Sequence, residues 1–286
     1  MWTGRGATRN GALRSEARRP SPPFSPDDLF SAPLHDFPIR DEILYAYFSL
    51  SPEMDILEIG PGSGFTAFRL ARQVRSVTLV DVAEECLAEL RNSSRQSANI
   101  HYVCADISQP GLAEKVGRRF DGVYGLDVFE YVLDPVTCLR NLAEVLKPGA
   151  ELLLSYPNLP PPVGDGVNYF SRRAELESLL KKAGFQRWDV FSVRLGTYAR
   201  FIYLPLHEWP LRLYRHLRGG NRGNLPQTYE RTWAFRQRRK MNRYRLPLNS
   251  FWLLLERAMR AGGNVFRAEP VADDVRGLVL VVRAWK

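Results

Sequence analysis

The sequence is poor in the residues that bind metals or form disulfide frameworks, with three cysteines and four histidines in 286 residues. Cys86, Cys104 and Cys138 fall inside predicted elements and are odd in number, which argues against paired disulfides and for a reducing compartment. No group of Cys and His residues has metal-site spacing, so we expect no metal. The sequence also lacks an apolar run near the roughly 20 residues that a membrane helix needs, and we expect a cytoplasmic protein.

One stretch, residues 54–65 (MDILEIGPGSGF), combines a short apolar run with Gly60, Gly62 and Gly64 and then a helical pattern. Glycine accepts a positive φ and lets a ligand approach the backbone, so this order is typical of a nucleotide-binding turn after a first parallel strand. Dinucleotide-dependent dehydrogenases share this spacing. Glu58 favours a different ligand, because a carboxylate there would repel a pyrophosphate but suits the sulfonium and amine of S-adenosylmethionine.

A second predicted strand, residues 77–81, ends in Asp81, which lies 17 residues after Gly64 and is followed by Val82. An acid at this place can accept hydrogen bonds from both ribose hydroxyls of a nucleotide. Asp81 alone fits NAD equally well.

The third predicted strand, residues 100–104, is followed by Asp106 and Ile107, a polar and apolar pair that suits the edge and the face of an adenine. A fourth strand, residues 121–126, leads into a turn that begins at Asp127. A fifth strand, residues 150–156, follows a helical segment with a Lys-Pro-Gly stop.

With these motifs the sequence resembles the class I S-adenosylmethionine-dependent methyltransferases. The segment from Asp121 to Asn158 is similar to their small-molecule branch, which includes the ubiquinone-type O-methyltransferases. The resemblance covers residues 50–195 and a last strand at 277–284. It implies S-adenosyl-L-methionine as the cofactor and an α/β, Rossmann-like, doubly wound sheet of seven strands, the last antiparallel. The cofactor-binding residues that it implies are Glu58, Gly60, Gly62, Gly64, Asp81, Val82, Asp106, Ile107 and Asp127.

The turn after the fourth strand holds the candidates for a catalytic base, which are Asp127, Glu130 and Tyr131. A hydroxyl acceptor must lose a proton, so a base within hydrogen-bond reach is expected. The resembled branch often has histidine where this chain has Tyr131, and no base is assigned. The Asn-Pro-Pro-aromatic motif of enzymes that methylate amides or adenines is also missing after this strand, which favours O-methylation.

The first 23 residues are basic and proline-rich, without the hydrophobic core of a secretory signal. They are interpreted as a disordered tail, with an organelle transit peptide or a start-codon artefact as alternatives. A helix is predicted over residues 39–49. In the resembled family such a helix closes over the cofactor or substrate, which makes His35 and Phe37 pocket candidates. The methyltransferase domain is expected to comprise residues 24–195 and 263–286.

Between the predicted sixth strand, residues 187–193, and the last strand lies an insert, residues 196–262. Residues 194–262 contain 15 Lys and Arg against 3 Asp and Glu, a net of +12, whereas residues 24–193 contain 16 against 24, a net of −8. Amphipathic patterns with interleaved aromatic residues predict helices there. Three interpretations remain open: a helical lid, an element that binds an anionic membrane surface, or a nucleic-acid-binding element.

Two classes of function follow. The first is an S-adenosylmethionine-dependent methyltransferase, peripheral at a membrane, that acts on a small or lipid-linked acceptor, with oxygen the favoured atom. The second is a protein of the same fold that binds or modifies RNA through the basic insert, or that binds the cofactor without turnover. Nucleic acid is the less favoured partner, and the oligomeric state is not predicted.

Overall fold

The computed structural model describes residues 39–93, 97–158, 168–196, 201 and 266–286. The predicted tail (residues 1–23), His35 and Phe37 lie outside the described residues. The insert, residues 196–262, also lies outside them except for residues 196 and 201.

Helices and strands alternate along the chain. The helices are α1 (Ile39–Tyr47), α2 (Phe65–Leu70), α3 (Glu84–Arg91), α4 (Leu112–Val116), α5 (Pro135–Val145) and α6 (Arg173–Lys182). The strands are β1 (Asp55–Ile59), β2 (Ser76–Asp81), β3 (Ile100–Cys104), β4 (Phe120–Leu126), β5 (Leu146–Asn158), β6 (Arg187–Leu195), β7 (Phe266–Pro270) and β8 (Leu278–Trp285). A single 3₁₀ turn, Phe129–Tyr131, lies between β4 and α5.

The strands form one sheet in the order β3-β2-β1-β4-β5-β8-β6-β7. Neighbours among β1–β5 pair in parallel, and β8 pairs antiparallel with both β5 and β6, which gives β6 the direction of β5. The predicted α/β class and the antiparallel last strand are therefore confirmed. This order places the carboxyl ends of β1–β6 at one edge of the sheet.

The sheet has eight strands in the described residues, so the predicted count of seven was wrong. The additional strand, β7, pairs antiparallel with β6, from Leu195 opposite Phe266 to Phe191 opposite Pro270. Its sequence, FRAEP, alternates apolar and polar residues, but three of its five residues, Ala268, Glu269 and Pro270, are of types depleted in strands. Backbone pairing with β6 and the ion pair between Arg194 and Glu269, 2.9 Å apart, hold it in place.

Both faces of the sheet are covered by helices, as the apolar strand sequences require. Leu152 and Leu154 of β5 belong to a core that includes side chains of α4, α5 and α6. Leu153, which points to the opposite face, belongs to a core with α1, α2 and α3.

The amino-terminal edge of the sheet carries a network of compensated charges. Asp55, the first residue of β1, accepts hydrogen bonds from Arg75 Nε at 3.0 Å and from Ser76 Oγ at 2.6 Å. Asp121 accepts from Lys147 Nζ at 2.8 Å and from the Asp55 backbone N at 2.9 Å. The hydrogen bond from Arg75 is the main cause that lowers the pKa of Asp55 to about 2.

A lowered pKa makes the contribution of Asp55 to stability depend on pH. An unfolded aspartate has a pKa of about 3.9, so the contribution is full above pH ~4 and is lost as the pH falls toward 2. Asp55→Asn should lower the free energy of unfolding by about 1 to 2 kcal/mol at pH 7, allowing for solvent around Arg75. Urea unfolding should show that the difference in free energy of unfolding between the wild type and Asp55→Asn is smaller at about pH 3 than at pH 7.

Asp274→Asn is the matched control. Its carboxylate also has a pKa of about 2, caused by a hydrogen bond from Arg276, but this pair is exposed and joins residues only two positions apart. Exposed local pairs contribute little to stability. An Asp55→Asn variant no less stable than Asp274→Asn at pH 7 would contradict a stabilising role for the network.

Candidate functional site

The predicted cofactor residues lie together at one edge of the sheet. Glu58 and Asp81 are near or at the carboxyl ends of β1 and β2, and the remaining residues are in the turns after β1, β2, β3 and β4. Because these four strands are parallel and adjacent, their carboxyl ends meet there. The structure thus brings together residues that are 69 positions apart at most, from Glu58 to Asp127.

The turn after β1 has the backbone that its glycines predict. Gly60, Gly62 and Gly64 have φ values of 64°, 54° and 70°. The Gly60 N–H donates to the carbonyl of Val80 at 2.9 Å, which fastens the turn to β2. The Cys86 thiol lies 3.2 Å from the carbonyl oxygen of Gly62 and donates to it, which fastens the turn to α3.

Gly60 also has a packing role that the sequence did not indicate. A Cβ atom on Gly60 would lie 2.5 Å from Cγ2 of Val128, in the turn after β4. A Cβ atom on Gly125 would lie 2.8 Å from Cγ1 of the same valine. Val128 therefore fills the space that two glycines leave, and it holds the turns after β1 and β4 against each other.

The acids at this edge are differently placed. Glu58 is buried, with 4% of its surface exposed, whereas Asp81 and Asp106 are half-buried. One oxygen of Asp81 accepts from the Ala83 N–H at 2.9 Å, and one oxygen of Asp106 accepts from the Ser108 N–H at 2.8 Å. These bonds orient both carboxylates in the turns after β2 and β3.

Carboxylates are concentrated at this edge, where Glu58, Asp81, Asp106 and Asp127 lie near, at or just after the ends of four adjacent strands. Burial is the first cause that raises the pKa of the Cys104 thiol, and the nearby carboxylates of Glu84 and Asp81 raise it further. A negative field favours a cationic ligand over a pyrophosphate. The donor chemistry of the site therefore fits S-adenosyl-L-methionine, which carries a sulfonium and an amine.

The turn after β4 is strained at Asp127. Its φ of 52° is the only positive value at a non-glycine residue among the described positions. Its backbone N–H donates to the carbonyl of Ser155 in β5 at 2.7 Å. A non-glycine residue in this region costs roughly 1–3 kcal/mol, and such strain is characteristic of functional sites.

The three candidates for the base differ in exposure. Asp127 and Tyr131 are half-buried, whereas Glu130 has only 3% of its surface exposed. Glu130 lies near Tyr156: burial raises the pKa of the Tyr156 phenol, and the charge of Glu130 raises it further. Tyr156 therefore stays protonated at neutral pH and is no candidate for a base.

Asn168 is a residue of this region that the sequence analysis missed. Its side-chain amide donates to the carbonyls of Phe129 at 2.9 Å and Val132 at 2.5 Å, and its backbone N–H donates to the carbonyl of Glu130 at 2.9 Å. These bonds connect the 3₁₀ turn to the segment that precedes α6. Contacts across 36 to 39 positions leave no local pattern in a sequence.

The described parts of the chain contain neither a metal site nor a membrane-spanning helix. Residues 39–93, 97–158, 168–196, 201 and 266–286 contain no cluster of three His, Cys, Asp or Glu side chains that could hold a metal ion. Within the same ranges, no helix combines the length and apolar character needed to cross a membrane.

Known proteins resemble the chain in this region. Residues 57–154 match a family model described as a methyltransferase domain. A ubiquinone biosynthesis O-methyltransferase of Xanthomonas axonopodis pv. citri is 31% identical over 179 residues, which cover 55% of this chain and 73% of the relative. The enzyme of the same name from Coxiella burnetii is 32% identical over 128 residues, covering 44% of this chain and 53% of the relative.

The fold is also found in solved structures. A phosphoethanolamine N-methyltransferase 2 from Haemonchus contortus, in complex with phosphomonomethylethanolamine and S-adenosylhomocysteine, has a TM-score of 0.51 at 17% identity. The match covers 86% of this chain and 52% of that one. At this identity the likeness concerns the fold alone.

The sheet, the glycine turn and these relatives establish the class of protein. The chain belongs to the class I S-adenosylmethionine-dependent methyltransferases, as its motifs predicted, and S-adenosyl-L-methionine is the cofactor of that class. Within the class it is similar to the ubiquinone biosynthesis O-methyltransferases, although it spans only about half the length of several curated relatives, 53% for the Coxiella protein.

The contact between Gly60 and Val128 can be tested by a double-mutant cycle. Gly60→Ala adds a Cβ both at φ 64° and in contact with Val128, and should destabilise the fold by about 2 to 4 kcal/mol. Adding Val128→Ala should recover part of this loss, because it removes the clashing methyl groups. Urea unfolding of the single and double variants measures the coupling.

Gly117→Ala is the matched control, since Gly117 also has φ 64° but its added Cβ would have no atom within 4 Å. It should lose only the backbone part, about 1 to 2 kcal/mol. Equal losses for Gly60→Ala and Gly117→Ala would show that Val128 does not lock the turn.

Proposed function

We propose that this protein transfers the methyl group of S-adenosyl-L-methionine to a hydroxyl group of a small or lipid-linked acceptor. The observation that carries the proposal is the meeting of the glycine turn, buried Glu58 and Asp81 at one edge of a parallel sheet. The similarity to relatives named for O-methylation in ubiquinone biosynthesis supports oxygen as the methylated atom.

Each acid has a proposed role toward the cofactor. Asp81 accepts from the ribose hydroxyls, while Asp106 and Ile107 contact the edge and the face of the adenine, with Val82 beside it. Glu58 faces the amino-acid part of the cofactor, and Asp127 faces the acceptor beside it. When bound, the cofactor supplies a methyl group on an activated sulfonium, and the protein's main tasks are to position the acceptor and to exclude water.

We assign the base for a hydroxyl acceptor to the turn after β4, and among its residues we favour Asp127. Glu130 is buried beside Tyr156. A phenol, the side-chain group of Tyr131, is a weaker base than a carboxylate while it carries its proton. Asp127 is half-buried, has a positive φ and follows β4 directly, at the edge where the predicted cofactor residues lie.

The direct test uses S-adenosyl-L-methionine with an isotopically labelled methyl group and a cell extract separated into lipid and aqueous fractions. We expect label in a product of the lipid fraction. Asp81→Asn keeps an oxygen for the Ala83 N–H but removes the charge, and should weaken binding of S-adenosylhomocysteine by about 1.5 to 3 kcal/mol in calorimetry. Asp189→Asn, an exposed acid in β6, should leave the affinity unchanged.

Other outcomes would replace the proposal. Affinity for NAD without affinity for S-adenosylhomocysteine would contradict the cofactor assignment. Binding of S-adenosylhomocysteine without label in any fraction would favour a cofactor-binding module without turnover. Label in RNA would favour the RNA-modifying alternative.

We also propose that the basic insert, residues 196–262, attaches the protein to an anionic membrane surface beside the acceptor site. The support comes from the ends of the insert: Leu195 pairs with Phe266, so the chain leaves and re-enters the sheet at the carboxyl end of β6. That is the edge that carries the predicted cofactor residues. Each basic residue near anionic lipid contributes about 1 kcal/mol, and residues 194–262 have a net charge of +12.

Charge reversal at Arg236, Arg238, Arg239 and Lys240 tests the membrane proposal. Co-sedimentation with vesicles that contain phosphatidylserine should fall, and the remaining binding should weaken with added salt, because exposed charges are screened within about 8 to 10 Å. The affinity for S-adenosylhomocysteine should not change. The matched control reverses four exposed basic residues of the described domain, Arg119, Arg140, Lys181 and Lys182.

Vesicle binding that falls equally in both sets of variants would indicate a general charge effect and not a docking element. A wild-type protein that ignores vesicles but binds single-stranded RNA with steep salt dependence would favour the nucleic-acid interpretation. Binding to neither would leave the lid interpretation.

A further inference from the structure

We infer that Asn141 of α5 is a positioning residue for the adenine of the cofactor. It fixes the loop after β3, and the position of this loop sets the preference for adenine over other purines. The inference rests on the proposed cofactor site, but it concerns a residue outside every motif of the sequence. Asn141 lies at the centre of α5, 14 positions after Asp127 and 35 after Asp106.

Asn141 uses both protons of its side-chain amide on the loop. Nδ2 donates to the carbonyl oxygen of Ile107 at 2.9 Å and to that of Gln109 at 2.7 Å. The side chain is 4% exposed, so water does not replace these bonds easily. The two carbonyls flank Ser108, and the loop is thus held on both sides of that residue.

The same loop is anchored at Ser108, which is also buried. The Ser108 N–H donates to the side chain of Asp106 at 2.8 Å, and Ser108 Oγ accepts from the Leu133 N–H at 3.2 Å. The last backbone hydrogen bond between the β3 side and β2 is donated by the Ala105 N–H to the carbonyl of Asp81 at 2.9 Å. Beyond Ala105, the loop is held by the contacts of Asn141 and Ser108 together with one backbone bond of its own, from the Gln109 N–H to the carbonyl of Asp106 at 3.1 Å.

Adenine recognition depends on where this loop places Asp106 and Ile107. The 6-amino group of adenine donates hydrogen bonds, whereas hypoxanthine has a carbonyl oxygen at the same position. A carboxylate held at the base edge, as proposed for Asp106, attracts the first and repels the second. If Asn141 fixes the loop, the discrimination between the two bases should depend on Asn141 even though its side chain contacts neither.

The chain contains a matched control in Asn99, before β3. Its side-chain amide also donates to backbone carbonyls, those of Ala71 at 2.8 Å, Val74 at 3.3 Å and Arg75 at 3.2 Å. These contacts lie at the amino-terminal edge of the sheet, because Asn99 and Arg75 immediately precede β3 and β2. Asn99→Leu therefore removes a similar set of bonds away from the cofactor site.

The experiment measures calorimetric affinities for S-adenosylhomocysteine and S-inosylhomocysteine. The wild type should prefer the adenosyl ligand. Asn141→Leu, which keeps the side-chain shape but removes both donors, should weaken binding of the adenosyl ligand about tenfold and narrow the preference. Asn99→Leu should lower the melting temperature but leave both affinities unchanged. If Asn141→Leu does not fold, Asn141→Ser replaces it in the experiment. This variant should prefer the adenosyl ligand less strongly than the wild type does.

The inference is overturned if the Asn141 variants keep the wild-type ratio of affinities, or if Asn99→Leu changes it as much. A wild-type protein that binds neither ligand overturns both the cofactor site and this inference. A wild type that binds and discriminates the ligands, with the expected loss in the Asn141 variants, supports the inference even if no methyl transfer is found, in which case only the proposed function fails.

Discussion

The fixed spacing between the turns after β1 and β4 is the constraint on which the rest of the site depends. Val128 occupies the space beside Gly60 and Gly125. Any residue larger than glycine at either of these two positions would bring its Cβ too close to the Val128 side chain. The same turn carries Asp127, whose positive φ is maintained by a hydrogen bond to β5. Packing therefore fixes the distance between the turn after β1, which is proposed to bind the cofactor, and the turn after β4, which is proposed to hold the catalytic base. This distance is set before any ligand binds, which is the pre-organisation that methyl transfer needs.

The acids at the two edges of the sheet have different partners. At the amino-terminal edge, Asp55 and Asp121 are paired with arginine and lysine side chains. At the carboxyl edge, Asp81 and Asp106 accept backbone N–H groups. The pKa of the neighbouring Cys104 thiol is raised first by burial and then by the charges of Glu84 and Asp81. Compensated charge stabilises the fold at one edge, and the acids at the other edge leave a negative field that suits a cationic ligand.

Much of this could be predicted from the sequence because the information is local. A glycine turn between a strand and a helix, and acids at strand ends, appear as short patterns, and the predicted bounds of β2, β3, β4 and β6 lie within two residues of the observed ends. Strand β5 begins at Leu146, four residues before its predicted start, so the Lys-Pro-Gly segment that was predicted to end the preceding helix lies in the strand. Strand β7 was missed because three of its five residues, Ala268, Glu269 and Pro270, are of types depleted in strands. Its existence depends on pairing with β6, 71 or more positions away.

The supporting residues could not be predicted for a related reason. Asn141, Asn168 and Val128 act through contacts with distant backbone or with glycines, and their residue types are common in helices and loops. Such contacts emerge only when the strands are ordered in the sheet. The sequence thus predicts which residues face a ligand, and the fold shows which residues hold these predicted residues in place.

The most direct test of the central claim is hydrogen exchange by mass spectrometry with and without S-adenosylhomocysteine. The account predicts slower exchange on binding in the turns after β1, β2, β3 and β4, with no change at the amino-terminal edge around Asp55 and Arg75. Protection confined to other parts of the chain, or no protection at saturating ligand, would contradict the placement of the cofactor at the carboxyl ends of these strands.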